Sequence, residues 1–294
     1  MSFSEELGGL HEAQLLAGTI RYRERGAGEP IVFAHGALVT GDLWRNVVPA
    51  LANEFRCITP DLPLGSHRPA LHADVDLDPS AIATLIVDLL DALDIEAATL
   101  VGNDTGGALC QIVAAEYPER VSRLVLTDCD AFDNFPPRLF RYLQWTARLP
   151  GGVFLLAQSM RLRPMRRLPI AYGWLSKRPV DAAVLDSYVR PVIEDAGVRR
   201  DVAKLLKGIS PSQTIAAARK LGSFPRPALI AWARDDRFFP FDHARRLAQL
   251  LPDARLEPVE DSRTFVPEDQ PERLAELIGS FMRATAKEPA AANR

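Results

Sequence analysis

The feature that most constrains this chain is an apolar run ending in a glycine-framed turn, Thr99-Leu-Val-Gly-Asn-Asp-Thr-Gly-Gly-Ala-Leu-Cys110. A helical pattern follows at once. Gly102 and Gly106 stand two residues before and two after Asp104. A side chain at the apex of so sharp a strand-to-helix turn sits in strained backbone space. Glycines on either side let strand and helix approach without a Cβ clash. The first turn of the helix also leaves backbone N–H groups free, and negative charge is favoured there. Asp104 is therefore a candidate nucleophile: a carboxylate can attack an sp3 carbon and form an ester that water later hydrolyses. The alternative role is an N-cap. That accounts for the aspartate but not for both glycines and the strand.

Around this turn, short apolar runs alternate with helical patterns, which predicts an α/β fold with a mostly parallel sheet and helices on both faces. Strands are expected at Thr19–Glu24, Ile31–Ala34, Arg56–Thr59, Ala98–Val101, Leu124–Thr127, Ala228–Trp232 and Arg255–Val259. Helices are expected at Leu43–Ala52, Pro79–Leu93, Gly106–Tyr117, Phe241–Leu251 and Pro271–Ala284. The Ala-rich tail Lys287–Arg294 is expected to fray. The alternation breaks between about Ala131 and Gly222, which reads as helical without a clear strand. Three segments follow: a first core part at 1–130, a helical cap at 131–222 and a second core part at 223–294. The cap segment holds 16 Lys/Arg against 6 Asp/Glu, in a chain whose net charge is −3. A helical insertion over the carboxyl ends of such a sheet is a natural lid.

Composition excludes several classes. At 47% hydrophobic and 25% charged, the chain is neither disordered nor fibrous. A net charge of −3 argues against a nucleic-acid binder by bulk electrostatics. Cys57, Cys110 and Cys129 show no metal-ligand or disulfide spacing, which fits a reducing compartment. The start, Met1-Ser-Phe-Ser-Glu-Glu-Leu, lacks the basic and apolar regions of a signal peptide. No run reaches the ~18 consecutive apolar residues of a membrane span. The expectation is a cytoplasmic protein acting on a small molecule, with no metal or cofactor and no nucleic-acid partner. A homodimer is compatible with the sequence.

A second element supports the turn. Ile31-Val-Phe-Ala-His35-Gly36-Ala37 is an apolar strand ending in His-Gly. In sheets of this type the loop after that strand supplies one oxyanion-hole N–H, here Ala37, and the residue after the nucleophile, Thr105, supplies the other. The order of a His-Gly loop, an aspartate-bearing elbow, a helical insertion and a late Asp-x-x-x-Pro resembles the α/β-hydrolase fold over residues 18–284. Within that superfamily the aspartate elbow is similar to the haloalkane dehalogenase and epoxide hydrolase branches.

The resemblance assigns further roles. The catalytic acid falls on Asp236, four residues before Pro240, with Asp235 adjacent. Some dehalogenase relatives place the acid after the earlier strand, where Asp128 stands. The base should be a histidine four residues before a glutamate near the last helix, but counting back from Glu268 lands on Thr264. The five histidines are His11, His35, His67, His72 and His243, and only His35 lies on a segment expected to face the site. Histidine suits proton removal near neutral pH, and threonine does not. Four readings stay open: a replacement base such as His35 or a carboxylate, chemistry without ester hydrolysis (a lyase, isomerase or cyclase), a binding protein on a hydrolase scaffold, or an inactivating substitution.

Two departures blur the branch. Dehalogenases usually hold halide with Trp after the nucleophile and Asn after His-Gly, where this chain has Thr105 and Ala37. Epoxide hydrolases usually carry His-Gly-x-Pro and ring-opening tyrosines on the cap. Here no proline follows, while Tyr142, Tyr172 and Tyr188 lie in the insertion. Arg161–Pro169 holds four arginines, either a solvated face or an attraction for an anionic substrate. The expected activity is hydrolysis of a small to medium apolar molecule, neutral or anionic, through Asp104 with Asp236 as its acidic partner.

Overall fold

The computed structural model describes residues 5–286, so the tail expected to fray lies outside the described residues. Eight strands form one sheet in the order β1-β2-β4-β3-β5-β6-β7-β8. They are β1 Gly9–Leu15, β2 Gly18–Arg25, β3 Pro30–Ala34, β4 Arg56–Pro60, β5 Ala98–Asp104, β6 Val121–Cys129, β7 Ala228–Ala233 and β8 Ala254–Val259. β1 and β2 run antiparallel to each other, and β2 is antiparallel to β4. From β4 through β8 every neighbouring pair is parallel. This is the α/β architecture with a mostly parallel sheet expected from the sequence.

The central strands read as continuous apolar runs because helices cover both their faces. β7 is buried at every position, and β5 at every position except its last, Asp104. β1 is the strand the sequence pattern misses. Its residues Gly-Leu-His-Glu-Ala-Gln-Leu are mostly exposed, as an edge strand allows, so no apolar alternation marks it. The helix expected over Leu43–Ala52 divides into a 3-10 turn at Gly41–Trp44 and a short α-turn at Val48–Leu51. Pro49 lacks an N–H and would clash with the carbonyl four residues back, so a continuous helix cannot pass it. The Pro79–Ala92 helix starts where Asp78 accepts the Ala81 N–H, with Pro79 in its first turn.

β3 lies between β4 on one side and β5 on the other. The chain leaves β3 toward one edge and returns beyond it toward the opposite edge. Such a switch point opens a crevice at the carboxyl ends of the two strands, where ligands of open α/β sheets bind. The His35-Gly36-Ala37 loop and Asp104 both stand there. Between β6 and β7 the chain runs through helices Arg141–Arg148, Gly152–Ser159, Ala182–Glu194, Ala196–Gly208 and Pro211–Leu221. The first four pack on one another. The last packs instead along the Thr105–Glu116 helix, beside the sheet.

The Thr105–Glu116 helix is buried from Thr105 to Ala114 and presses unusually close to the sheet. A Cβ on Gly106 would lie 2.3 Å from the Ala34 carbonyl oxygen and 2.5 Å from that of His35. One on Gly102 would meet the Gly107 Cα at 2.6 Å. Backbone cannot yield as a side chain can. Gly106→Ala is therefore expected to destabilise the fold by about 1–3 kcal/mol, as overpacking does. The urea unfolding midpoint measures it, and an unchanged midpoint would contradict this close approach.

Candidate active site

Asp104 closes β5 at φ 53°, ψ −130°, a conformation a non-glycine residue holds only when its surroundings over-determine it. The glycine contacts just described supply that constraint. The carboxyl does not make the usual cap bond to the second or third amide of its helix. Instead it accepts hydrogen bonds from the backbone N–H groups of Thr105 and Ala37. Those are the two donors the sequence marks as an oxyanion hole. Gly36 is required by the same geometry, since a Cβ there would lie 2.2 Å from Asp104 Oδ2. Burial pushes the Asp104 pKa up to about 7; the Thr105 and Ala37 amides oppose the rise and the charge of Asp236 adds to it.

Above Asp104 a cavity opens between the strand ends and the helices that join β6 to β7. Its wall is almost wholly apolar, with Phe140, Leu143, Leu156, Met160, Val192 and Leu206 among the lining side chains. The polar exceptions are Asp104, Thr105, Asp130, Tyr142 and Tyr172, and among the described residues no Lys or Arg lines it. The Arg161–Pro169 run turns elsewhere. Arg166 is buried, bonded to the Met160 carbonyl and paired with Asp186, while Arg161 and Arg163 are exposed. Among the described residues no group of three or more His, Cys, Asp or Glu is placed to hold a metal ion.

Thr264 meets the acid position directly. Its Oγ1 donates to Asp236 Oδ2 at 2.6 Å, and Asp236 Oδ1 accepts from the amides of Phe238 and Phe239 at 2.6 and 2.7 Å. Asp128 is fully buried, accepts from the Ala233 amide at 2.9 Å and hydrogen-bonds Asp236. Burial first, and the Asp236 charge second, hold Asp128 well above the ordinary carboxyl range, and burial raises Asp236 as well. Both acid positions of the resemblance thus meet each other, with Asp236 in direct contact with Thr264. Asp235 is exposed and paired with Lys177, away from the cavity. The Thr264 loop is pinned: Asp269 accepts from the Lys177, Arg178 and Arg263 amides, and Glu268 forms a two-pronged pair with Arg45 at 2.5 and 2.7 Å.

His35 does not replace the base. Its Nδ1–H donates to the Gly36 carbonyl at 2.9 Å, and its Nε2 accepts the Leu62 N–H at 2.9 Å. Burial lowers its pKa to about 4, so the ring is neutral and both nitrogens are committed. The cap tyrosines are committed too. Tyr142 donates to the Ile170 carbonyl at 2.7 Å and Tyr172 to that of Leu38 at 2.6 Å. Tyr188 is buried and does not line the cavity.

The residue that sequence reasoning passed over is Asp130. It lines the cavity beside Asp104, is 1% exposed, and its Oδ2 accepts the Thr105 hydroxyl at 3.3 Å. Burial, then the Asp104 charge, hold its carboxyl well above the ordinary range. The sequence did contain a signal. Asp130 is a second acid two residues after Asp128, just past the end of β6.

The α/β hydrolase fold family profile matches residues 29–271. The chain belongs to that family. This enzyme is 29% identical over 268 residues to haloalkane dehalogenase 2 of Mycobacterium tuberculosis, covering 89% of this chain and 90% of the relative. It is 27% identical over 267 residues to a 2-hydroxy-6-oxo-6-phenylhexa-2,4-dienoate hydrolase of Burkholderia cepacia, covering 84% and 85%. Among solved structures, haloalkane dehalogenase DbeA from Bradyrhizobium elkani superimposes with a TM-score of 0.79 at 23% identity, over 94% of this chain and 98% of that one. The epoxide hydrolase CorEH gives 0.79 at 22%, over 95% and 99%. The protein is an α/β-hydrolase-fold enzyme, similar in sequence to haloalkane dehalogenase 2 and in fold to the epoxide hydrolase CorEH.

One buried amide binds this site together. Asn103 Nδ2 donates to the Thr264 carbonyl at 2.7 Å and to Thr127 Oγ1 at 2.9 Å, joining three strand-end segments. Asn103→Ala leaves a buried carbonyl without its donor and is expected to cost about 1–3 kcal/mol in unfolding free energy. Denaturant titration reads this loss, and a shift within error of zero would show the amide to be dispensable.

Proposed function

We propose that this α/β hydrolase opens an uncharged, apolar small molecule at an sp3 carbon, forming an ester on Asp104 that water then cleaves. The observation that carries the reading is the Asp104 carboxyl, held by two amides at the floor of an apolar cavity. One oxygen attacks while the amides retain the other. When water adds to the ester, the same amides receive the developing oxyanion. The absence of Lys and Arg from the lining favours a neutral substrate over an anionic one. An anion would enter a low-dielectric space that already holds carboxyls.

A second reading is favoured by one observation. Asp104 is raised to about 7, so it can both give and accept a proton near neutrality. A non-hydrolytic acid–base reaction, such as an isomerisation, would use that property. Solvent oxygen separates the two. Hydrolysis places heavy oxygen from labelled water in the product after repeated turnover, and isomerisation does not.

The main test is covalent trapping. Incubation with terminal epoxides and bromoalkanes is expected to add the alkyl mass to the peptide carrying Asp104, and Asp104→Asn is expected to abolish the adduct. No adduct and no turnover across such a panel would reject the proposal. The pH dependence follows from the raised pKa. Only the ionised carboxylate attacks, so adduct formation should rise with pH through about 7 and approach its plateau one to two units higher. A rate already flat at pH 5 would show that Asp104 ionises like an ordinary carboxyl.

A further inference from the structure

We infer that Asp130 is the proton donor and acceptor of this site, in place of the histidine absent at position 264, and that the substrates turned over are epoxides. The inference rests on Asp104 as the nucleophile. Asp130 shares the cavity with Asp104, and Thr105 links the two: its amide donates to Asp104 and its hydroxyl to Asp130. Asp130 Oδ1 is buried and has no hydrogen-bond partner, while the backbone carbonyl of the same residue is fixed by Gln111 Nε2 at 2.8 Å. A buried carboxyl oxygen without a hydrogen-bond donor or a facing cation favours the protonated form. The other candidates are engaged elsewhere: both His35 nitrogens, the Thr264 hydroxyl, and the hydroxyls of Tyr142 and Tyr172.

The protons balance around a full cycle. The Asp104 carboxylate attacks an epoxide carbon, the ring C–O bond breaks, and the ring oxygen takes the Asp130 proton. The products are a hydroxyalkyl ester on Asp104 and an Asp130 carboxylate. That carboxylate then removes a proton from water as the water oxygen adds to the ester carbonyl, with the oxyanion on the Ala37 and Thr105 amides. Collapse expels the diol alkoxide, which takes the proton of the newly formed Asp104 carboxyl. Asp104 ends ionised and Asp130 protonated, as they began. A haloalkane behaves differently. Its halide leaves without a proton, so Asp130 stays protonated and no base is generated for the second step.

The experiment compares a homologous series of epoxyalkanes with the matching bromoalkanes, in the wild-type enzyme and in Asp130→Asn. Wild type is expected to release diol over many turnovers. With bromoalkanes it should stop after one bromide per site, leaving a stable mass increase on Asp104. Asp130→Asn should lose diol release by about 100-fold or more. It should keep the bromide burst, which shows that the fold and Asp104 are intact. Sustained bromide release by wild type, or unchanged diol release by Asp130→Asn, would overturn the inference while leaving Asp104 as nucleophile. Should Asp130→Asn lose the burst as well, wild-type pH profiles decide: epoxide turnover should fall on the alkaline side where the burst does not, and a common profile overturns the assignment. The absence of any Asp104 adduct from either series would remove the nucleophile reading and this inference with it.

Discussion

Four carboxyls, those of Asp104, Asp128, Asp130 and Asp236, stand together at the strand ends of this protein, and no lysine or arginine enters the cavity that two of them line. Burial of an ionised carboxylate in such surroundings costs several kcal/mol unless hydrogen bonds compensate it. The structure answers by rationing charge. Asp236 receives two backbone amides and the Thr264 hydroxyl, and Asp104 receives two amides at a helix start. Asp128 and Asp130 receive less, and burial holds both carboxyls well above the ordinary range. The four thus stand as two pairs, Asp128 with Asp236 and Asp130 with Asp104.

Much of this was legible in the sequence wherever the constraint is local. The turn at Asp104 could be read because two glycines at fixed offsets are needed for strand and helix to close on each other. The contacts their missing Cβ atoms would make, down to 2.3 Å, give the physical reason. β3 and β7 could be read because they are apolar throughout, and β5 and β6 because each carries an apolar run. β1 could not, because an exposed edge strand needs no apolar pattern. The pairing of Asp236 with Thr264 joins residues 28 apart through two loops, and only the family resemblance brought them together beforehand. Asp130 escaped notice because it follows the end of β6, where the alternation that would aim its side chain gives way to irregular backbone. His35 shows the opposite failure. Its position suggested chemistry, but one nitrogen donates to the carbonyl of Gly36 and the other accepts the amide of Leu62, which fixes the loop that carries Ala37.

Threonine at position 264 need not leave a damaged site. A simple loss of histidine would leave Asp236 Oδ2 buried without a donor, at a cost of the order of 1–3 kcal/mol. Here the hydroxyl satisfies that carboxylate at 2.6 Å, and the loop is held from both sides by Asn103 and Asp269. Threonine can donate to an acid but cannot remove a proton near neutral pH. The Asp236–Thr264–Asn103 connection is thus a structural tie between β5, β7 and the segment before the last helix. Proton transfer has to be sought elsewhere in the cavity.

A carboxyl in that role suits an apolar, cation-free cavity for an electrostatic reason. In a histidine-based site, each proton taken from water creates an imidazolium, which a buried anion must stabilise. With Asp104 as nucleophile and Asp130 as acid, the resting site carries one negative charge on Asp104. After ring opening that charge sits on Asp130. During water attack it returns to the oxyanion between the two amides, and at the end it is again on Asp104. The cavity holds one negative charge throughout, and the reaction only moves it between neighbouring groups that Thr105 already bridges. Relocating a charge within a preorganised site needs far less reorganisation than creating a charge pair in a low-dielectric space. The same reasoning explains why a departing halide fits this cavity poorly. It would carry the charge off the carboxyl oxygens toward a wall of leucine, valine and phenylalanine side chains that offers no N–H.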